Sequence, residues 1–475
     1  MLMMAGFSLC RPCEAQSAGD STIPALMVSD IHFDPFHDPD RAKRLAQVPA
    51  SQWTAILTPP STPNEEQAFT ALQQRCGARG VDTPYPLLRS SLQAMRSRQP
   101  DAKFITVTGD LIAHSFFCRY KAMFPGAAQK DYEDFVVSTI DFVMQELRAA
   151  FPGVPVYAEL GNNDTDCDDY RLDADSDFLA RTGKIIATGL PASDQAQAAK
   201  DFAAGGYYNV AMAAPITSTR LIALDDLFLS PKYNTCAGRP DETAANAQMK
   251  WLQQQLAEAR RQKQTVWVVG HIPPGVDPYS TVAHFKNVCG GESAVMFLSS
   301  AKLADLLVEY ADVVRLAVFA HTHMDEIRLL SADASAAPGS PEHSVAVKLV
   351  ASISPVNGNK PSFTIAHVNP SSGLLQDYEV IVASNKTGIA ATWAKEYDFT
   401  ETFHETAFSA AAVKDLDTKF KEDGRGTTPI SDAYIHHYFV GDLAPELKPF
   451  WSQYVCSVGN YTAKGFADCV CSPGK

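Results

Sequence analysis

Five short polar motifs, each directly after an apolar run, constrain this chain more than any other feature of its sequence. The apolar runs read PALMV, AKFITVT, VPVYAEL, QTVWVV and VVRLAVF. The motifs that follow them are Asp30-Ile31-His32, Gly109-Asp110, Gly161-Asn162, Gly270-His271 and His321-Thr322-His323. Short apolar runs of this kind are typical of buried strands, and residues beyond the carboxyl ends of strands in an open α/β sheet line one crevice. The pattern therefore predicts that five loops bring two carboxylates, four imidazoles and one amide together.

These donor types predict a centre for two divalent cations. We predict Asp110 as the bridging ligand, because a carboxylate can place one oxygen on each ion and hold the pair about 3.5–4 Å apart. The other ligands form two groups: Asp30, His32 and His323 for one ion, and Asn162, His271 and His321 for the other. Taken singly, each motif is equally compatible with a helix cap or a packing residue, and only the full set in this order favours a metal site.

Two such cations predict hydrolysis of phosphate esters. They attract an anionic substrate, and they lower the pKa of bound water toward ~7, so that hydroxide is available to attack phosphorus. The net charge of -14 opposes binding to nucleic acid or to an anionic membrane, which leaves a small phosphate ester as the expected partner. No apolar run is long enough for a transmembrane segment. The sequence leaves the oligomeric state open.

Helical spacing of apolar residues alternates with the strand-like runs, which predicts a layered α/β domain. Helices are predicted over residues 85–98 and 131–150, and from Asn246 and Ser299 as N-caps. Residues 331–344 are small, polar and rich in proline and glycine, so we expect a surface loop there between two strands. Beyond residue 384 helix-like and aromatic segments predict a smaller C-terminal subdomain, residues 385–475.

The N-terminus and the cysteines bear on the compartment. Residues 1–22 are predicted to be a secretory leader, with a disordered terminus as the alternative. Eight cysteines remain beyond it, an even number that favours disulfides and an extracytoplasmic location, secreted or periplasmic. Their connectivity is not determined by the sequence, and scattered free thiols in a cytosolic enzyme are the alternative.

The order of the motifs resembles a known superfamily. SDIHFD, TGD, GNND, GHIPPG and AHTH resemble the calcineurin-like metallophosphoesterases over about residues 26–330. RCGARGVDTPYPLLRSSLQAM, TGDLIAH, SPKYNT, SISPVNGNKPSF, WAKEYDF and WSQYVCSVGNYT are similar to the acid sphingomyelinase-like phosphodiesterases. The resemblance implies a four-layer αββα sandwich over residues 23–384, with zinc as the favoured metal and manganese or iron as alternatives. It also implies a phosphodiesterase that acts on a soluble nucleotide, a phosphocholine-type ester or a sphingolipid-related ester.

Two residues depart from the superfamily pattern. Asn163 stands where a histidine is common, and an amide cannot donate a proton to a leaving group as an imidazolium does. His114 matches a histidine of the sphingomyelinase-like group and becomes the predicted general acid, with a purely structural role as the alternative. Ala320 replaces the usual glycine and is expected to be tolerated unless its φ is positive.

The motif GNND also resembles fungal endopolyphosphatases, so an endopolyphosphatase or a nucleotide phosphomonoesterase remains an alternative function. A noncatalytic metal-binding protein is the third possibility. Several other polar residues are given structural interpretations. We interpret four residues after the first motif as a solvated loop: Asp34, His37, Asp38 and Asp40. Four histidines outside the motifs are interpreted as surface or packing residues: His284, His404, His436 and His437.

Overall fold

The structure is a computed structural model that describes residues 22–332, 343–441 and 447–472. Its strands are β1 (Ile23–Val28), β2 (Ile105–Thr108), β3 (Val156–Glu159), β4 (Tyr208–Ala211), β5 (Thr219–Ala223), β6 (Thr265–Val269), β7 (Val314–Phe319), β8 (Glu326–Ser331), β9 (Ser344–Leu349), β10 (Ser362–Val368), β11 (Leu375–Ala383) and β12 (Trp393–Asp398). Its α-helices are α1 (Pro39–Leu45), α2 (Trp53–Leu57), α3 (Glu65–Arg75), α4 (Tyr85–Arg98), α5 (Phe116–Met123), α6 (Gln129–Ala150), α7 (Asp177–Ala187), α8 (Gln195–Gly205), α9 (Thr243–Arg261), α10 (Pro278–Ala283), α11 (Lys302–Glu309), α12 (Phe399–Phe403), α13 (Ala410–Glu422), α14 (Pro429–Tyr438), α15 (Trp451–Gly459) and α16 (Ala463–Val470).

The strands form two six-stranded sheets, with orders β12-β11-β10-β1-β2-β3 and β4-β5-β6-β7-β9-β8. In the first sheet β1, β2 and β3 are neighbours and parallel. In the second sheet β6 and β7 are likewise neighbours and parallel. Each of the five strands that precede a polar motif thus pairs with another of them in parallel. Because parallel strands run in the same direction, their carboxyl ends lie at the same edge of each sheet.

The two sheets pack face to face around one apolar core. Trp267 of β6 is completely buried, its ring centroid lies 5.7 Å from that of Phe104, and its indole nitrogen donates to the carbonyl of Gly373. Phe104 directly precedes β2 and Gly373 lies between β10 and β11, so both partners belong to the first sheet. Helix α7 contacts β3 and helix α9 contacts β6, so helices flank both sheets. The predicted α/β sandwich is confirmed.

The predicted elements agree with the structure where apolar spacing was regular. All five apolar runs form strands, and the helix predicted over residues 85–98 is α4. The predicted N-caps were wrong. Helix α9 begins at Thr243, ahead of Asn246, and α11 begins at Lys302, after Ser299. Strands β8 and β9 flank the predicted loop as expected, while residues 333–342 of that loop lie outside the described residues.

The eight cysteines beyond the leader form four disulfides, so the disulfide prediction is confirmed. The pairs are Cys76–Cys118, Cys167–Cys236, Cys289–Cys471 and Cys456–Cys469. Two of these bonds fasten the C-terminal helices, and α13 and α15 also contact the edge strand β8. Such a set of disulfides is typical of proteins from oxidising compartments. Within the described ranges, no helix combines the length and apolar character needed to cross a membrane.

The predicted division of the chain stays a prediction. Residues 1–21 of the predicted leader lie outside the described residues. Strand β12 lies beyond the predicted boundary at residue 384 and pairs with β11, so the first sheet extends into the segment assigned to the C-terminal subdomain. Helices account for the regular structure described after β12.

Candidate metal centre

The five motifs converge at one edge of the sandwich. Three of them follow β1, β2 and β3 of the first sheet, and two follow β6 and β7 of the second. Facing sheets bring the carboxyl ends of these strands opposite one another, which places all seven predicted donors in one cluster of contacts.

The first group of donors surrounds His32. Its Nε2 atom lies 3.2 Å from Nε2 of His323 and 3.3 Å from Oδ2 of Asp110. Oδ1 of Asp30 lies 3.4 Å from Nε2 of His323 and 3.7 Å from Nε2 of His32. All four side chains are almost completely buried. These are the side chains that the sequence assigned to one ion, together with the predicted bridging carboxylate.

The second group of donors surrounds His271. Its Nε2 atom lies 3.2 Å from the same Asp110 oxygen, Oδ2, and 3.1 Å from Oδ1 of Asn162. Nδ1 of His321 lies 3.2 Å from this Nε2 atom. The Asn162 amide nitrogen donates to Asp169, which fixes the amide so that its oxygen faces His271. Asp110 therefore stands between the two groups and contacts both.

The hydrogen bonds behind the rings indicate that this donor set fits cations. Nδ1 of His32 faces the carbonyl oxygen of Ile112 at 2.9 Å, and Nδ1 of His271 faces the carbonyl oxygen of Thr108 at 2.8 Å. A carbonyl only accepts, so Nδ1 carries the proton and a neutral ring presents an Nε2 lone pair to the cluster. Oδ1 of Asp30 is buried with no hydrogen-bond partner among the described residues. Converging lone pairs without protons between them are stabilised by bound cations.

Without cations the cluster must hold protons instead. Burial lowers the pKa of His32, but the charge of Asp110 and a contact with Asp30 outweigh it and raise the pKa to about 9. Burial likewise lowers the pKa of His271, and Asp110 raises it to about 10. Burial and the neighbouring His271 lower the pKa of His321 to about 3. The carboxylates thus draw positive charge into the site, and divalent ions supply it without protonating the rings.

The backbone at this site is strained. Positive φ angles occur at five of the seven donors: Asp30 (43°), His32 (44°), Asp110 (54°), His321 (73°) and His323 (66°). A left-handed conformation costs a residue with a Cβ atom about 1–2 kcal/mol, so such residues persist only where the surroundings impose them. Clusters of this kind are typical of functional sites, where the strain aims the side chains.

Two glycines of the motifs are required by close approach of the loops. Gly109 has a φ of +73°, and a Cβ atom on it would lie 2.6 Å from the backbone nitrogen of Gly161. A Cβ atom on Gly161 would lie 2.2 Å from Oδ1 of Asp110. Ala320, in contrast, is absent from the positive-φ residues, which agrees with the expectation that its methyl group is tolerated.

Two buried carboxylates that the sequence analysis missed hold the donor loops by their backbone. Asp164 accepts from the amides of Gly161, Leu111 and Ile112 at 2.8–3.0 Å. Asp226 accepts from the amides of His271 and Ile272, both at 2.9 Å. Asp164 closes the GNND motif, but the motif does not reveal its contacts with backbone amides, and nothing in the local pattern of Asp226 distinguishes it from an ordinary surface acid.

His114 borders the first group of donors. Its ring stacks on that of His32 with centroids 3.9 Å apart, and its side chain is 35% exposed. Asp82 holds it, accepting from the backbone nitrogen and facing Nδ1, each at 2.9 Å. Arg119 lies 3.7 Å from the same carboxylate. His114 is therefore the exposed ring beside an otherwise buried cluster, with its Nδ1 atom already engaged.

The side chain of Asn163 points toward Asp110 and away from solvent. Its backbone nitrogen donates to Oδ1 of Asp110 and its side-chain nitrogen donates to Oδ2, both at 2.9 Å. The side chain is buried beside the carboxylate. The geometry indicates a residue that orients Asp110.

The solvated-loop interpretation was wrong for two acids. Asp34 is 2% exposed and pairs with Arg119, which is completely buried. Asp38 is the N-cap of α1 and accepts from the amides of Asp40 and Arg41. Both acids have structural roles, because they anchor the segment after the first motif. The sequence did not predict this, since a group of acids in a loop does not reveal a buried cationic partner far along the chain.

Two further buried acids lie between the sheets behind the centre. Neither carboxylate oxygen of Glu159 or of Asp225 has a hydrogen-bond partner among the described residues, and both side chains are completely buried. Burial, together with the charge of Asp226, raises the pKa of Glu159 and that of Asp225 well above their usual range. Both acids are therefore held in the neutral form over a wide pH range.

This yields a prediction for stability. The pKa of Glu159 is higher in the folded state than in the unfolded state. Its contribution to the free energy of unfolding is therefore complete below its pKa in the unfolded state, and is lost as the pH rises toward its pKa in the folded state. Glu159→Gln keeps the neutral shape at every pH. We expect the free energy of unfolding of this variant, relative to wild type, to grow by up to about 1.4 kcal/mol per pH unit above pH 5. Denaturant titrations at pH 5, 6.5 and 8 measure it.

The exposed Glu66 supplies the control, because Glu66→Gln should leave the difference constant across the same pH values. A Glu159→Gln variant whose relative stability is flat with pH, or falls, would contradict a neutral Glu159.

Comparison with known proteins gives matches of three kinds: a family model, relatives in sequence and solved structures. A family model described as calcineurin-like phosphoesterase matches residues 23–325. Cyclic GMP-AMP phosphodiesterase SMPDL3A of Rattus norvegicus is 25% identical over 407 residues, covering 82% of this chain and 82% of the relative. Sphingomyelinase phosphodiesterase C of Dictyostelium discoideum is 24% identical over 363 residues, covering 73% of this chain and 74% of the relative. Among solved structures, a dimetal phosphatase from Danio rerio aligns with a TM-score of 0.41 at 12% identity, over 79% of this chain and 99% of that one.

Proposed function

The chain belongs to the calcineurin-like phosphoesterase family, whose members use a binuclear divalent metal centre, and on that premise we propose that it is a phosphodiesterase acting on a small soluble ester. One observation carries the proposal. A single oxygen of Asp110, Oδ2, lies 3.3 Å from Nε2 of His32 and 3.2 Å from Nε2 of His271, at the meeting point of two donor groups. The names of the relatives, all phosphodiesterases, support the choice of a diester.

We assign the ligands from the two groups. The first ion would be held by Asp30, His32, His323 and Asp110, and the second by Asn162, His271, His321 and Asp110. Mixed imidazole and carboxylate ligands suit zinc best, with manganese and iron as alternatives. When bound, the two ions supply a nucleophilic water of lowered pKa and stabilise negative charge on the phosphoryl oxygens.

The protein's own residues account for the rest of the chemistry. Asn163 holds Asp110 through two hydrogen bonds, which keeps the bridging carboxylate in place while charge develops nearby. His114 is the proton donor to the leaving oxygen, because it is the accessible ring beside the donor cluster and its Nδ1 atom is held by Asp82. A doubly protonated ring in this position has its Nε2 proton free for transfer.

We expect His114→Ala to lower kcat about 10²–10⁴-fold for a diester with an alkyl leaving group, since general acid catalysis contributes about that much. Nitrophenyl esters need no proton on the leaving oxygen, so their hydrolysis should fall far less. Steady-state rates on matched alkyl and nitrophenyl diesters measure the difference. His404→Ala, at an exposed position, is the control. Equal losses on both substrates would remove the proton-donor role and leave His114 a structural residue.

The net negative charge of the protein favours a small soluble substrate. The net charge of -14 repels polyanions until the metal ions dominate locally, which favours a compact ester over nucleic acid or long-chain polyphosphate. The relatives' names point to a cyclic dinucleotide or a phosphocholine ester, and we propose that substrate class for this chain.

A hydrolysis panel combined with elemental analysis tests the function. The panel holds bis-nitrophenyl phosphate, nitrophenyl phosphate, ATP, CDP-choline, a cyclic GMP-AMP dinucleotide, sphingomyelin in detergent and long-chain polyphosphate. We expect at least two divalent ions per chain and turnover of the diesters above that of monoesters. Preferred turnover of polyphosphate or ATP would replace the proposal by the endopolyphosphatase or phosphomonoesterase alternative. Bound metal with no turnover of any ester would support the noncatalytic one.

We also propose an extracytoplasmic location and a division into three parts. Four disulfides support export, with residues 1–22 as the leader. Residues 23–384 form the catalytic domain, and residues 385–475 form a subdomain fastened to it by Cys289–Cys471. Protein sequencing of the exported chain tests the leader, since a mature N-terminus near residue 23 is expected and an intact Met1 would contradict it.

A further inference from the structure

A second cluster of metal-ligating side chains lies outside the site described above. Glu396 of β12 and the adjacent His436 and His437 at the end of α14 each offer one ligand atom, and these atoms lie within 4.8 Å of one another. Two protein segments that are separated in sequence meet here, so the cluster depends on the fold.

The carboxylate of Glu396 is held in an unusual state. Its Oε1 atom lies 3.2 Å from Nδ1 of His437, while its Oε2 atom is buried with no hydrogen-bond partner among the described residues. A buried carboxylate oxygen without a donor loses the favourable free energy of its hydration. An additional ligand to Oε2 would recover that loss, and the histidines beside it are the commonest partners of a carboxylate around a transition metal.

The two histidines differ in mobility. His437 is fixed, because its ring stacks on that of Tyr397 with centroids 4.2 Å apart and an angle of 19° between the rings. His436 is exposed, and its ring centroid lies 5.0 Å from that of His437. Ligand distances of about 2.0–2.2 Å require the donors of one ion to lie about 4 Å apart or less. Since the three ligand atoms lie within 4.8 Å of one another, an adjustment of less than about 1 Å would bring them to that separation, and His436 is the exposed member of the cluster.

We propose that Glu396, His436 and His437 form a separate mononuclear site for a divalent transition-metal ion such as Zn²⁺. Two imidazoles and one carboxylate are a common protein ligand set for Zn²⁺, and the exposed side of His436 leaves room for water as a further ligand. The structure agrees with the interpretation of these histidines as surface or packing residues, since His436 is exposed and His437 packs on Tyr397, and the proposed site would give them a further role.

The ion would fasten α14 to the first sheet. Glu396 lies on β12 and both histidines lie at the end of α14, so coordination would reinforce two contacts that already join these elements, the stacking of Tyr397 on His437 and the Glu396–His437 pair. Binding to the folded state alone raises the free energy of unfolding, so occupancy at this site stabilises the protein.

Metal content measured by equilibrium dialysis tests the proposal on untagged full-length protein. Wild type, His436→Ala/His437→Ala and the control His404→Ala are dialysed against low micromolar free Zn²⁺ and analysed by mass spectrometry of the elements. We expect the wild type and the control to bind one Zn²⁺ per chain more than the double variant. All three should hydrolyse bis-nitrophenyl phosphate equally, since none of the altered residues belongs to the binuclear centre.

Equal Zn²⁺ content in all three proteins would overturn the proposal and leave a simple Glu396–His437 pair. If the double variant does not fold, His436→Gln alone replaces an exposed ring, and it should weaken the additional Zn²⁺ at least tenfold in a calorimetric titration. Unchanged affinity in that titration would overturn the proposal equally. Co²⁺ in place of Zn²⁺ gives a second readout, because loss of its visible absorption in the variant reports loss of these ligands.

Discussion

Replacing Asp110 with asparagine is expected to lower kcat/KM for a phosphodiester by about a thousandfold or more, which corresponds to about 4 kcal/mol of transition-state stabilisation. The reason lies in the contacts of one oxygen, Oδ2, with Nε2 of His32 and Nε2 of His271. An amide keeps the shape but removes the negative charge, so its oxygen is a weaker ligand for both ions. The two ions would then lose their shared ligand, and we expect the metal content to fall by about one ion per chain.

The matched control is Asp241→Asn, which makes the same chemical change at an exposed residue. It should leave activity and metal content unchanged. Far-ultraviolet circular dichroism and denaturant unfolding establish that the Asp110 variant is folded. A folded Asp110→Asn protein with more than a tenth of the wild-type kcat/KM would exclude a bridging role for this residue.

Removal of the Asp325 carboxylate is expected to lower the free energy of unfolding by about 3–5 kcal/mol. Asp325 pairs with Lys348 and also accepts a hydrogen bond from the hydroxyl of Tyr397. Lys348 is completely buried, and burial lowers its pKa well below the usual range. Asp325→Ala leaves Lys348 in the core without its counter-charge, so its side chain must either bury an uncompensated charge or give up its proton on folding, and both lower the free energy of unfolding.

Two further variants test whether the loss of free energy comes from leaving a buried charge unpaired. Asp325→Leu combined with Lys348→Met replaces both charges by apolar groups, so it should recover most of the stability. Asp468→Ala removes an acid from an exposed pair with Lys464 and should change the free energy of unfolding by less than about 1 kcal/mol. Denaturant titrations measure all three. A cost below about 1 kcal/mol for Asp325→Ala would mean that Lys348 finds another partner.

The sequence predicted the strands of the centre because burial on both sides leaves a clear apolar signal. PALMV and VVRLAVF lie in strands with almost every residue buried, and the polar motif follows where the strand ends. Helix starts were harder, since Glu242 and Ala301 precede α9 and α11 without any side-chain cap. The pairing of β10 with β1 joins segments more than three hundred residues apart, and no local pattern encodes such a contact.

Residue type and position predicted which seven side chains lie together at the candidate centre, but not which residues hold their loops in place. Asp164 and Asp226 act on backbone amides of the donor loops, so only the folded geometry reveals them. The positive φ angles at Asp110 and His323 likewise arise from tertiary contacts. Asn163 was singled out because a histidine is common there, and the structure gives it a different contact, with Asp110.

Diffraction from crystals of the metal-loaded enzyme, recorded on both sides of the zinc absorption edge, tests the central claim most directly. The account predicts two anomalous peaks about 3.5–4 Å apart, each within bonding distance of one Asp110 oxygen. One peak should lie beside Asp30, His32 and His323, and the other beside Asn162, His271 and His321. A single peak in this cluster, or two peaks with Asp110 bonded to neither, would contradict it.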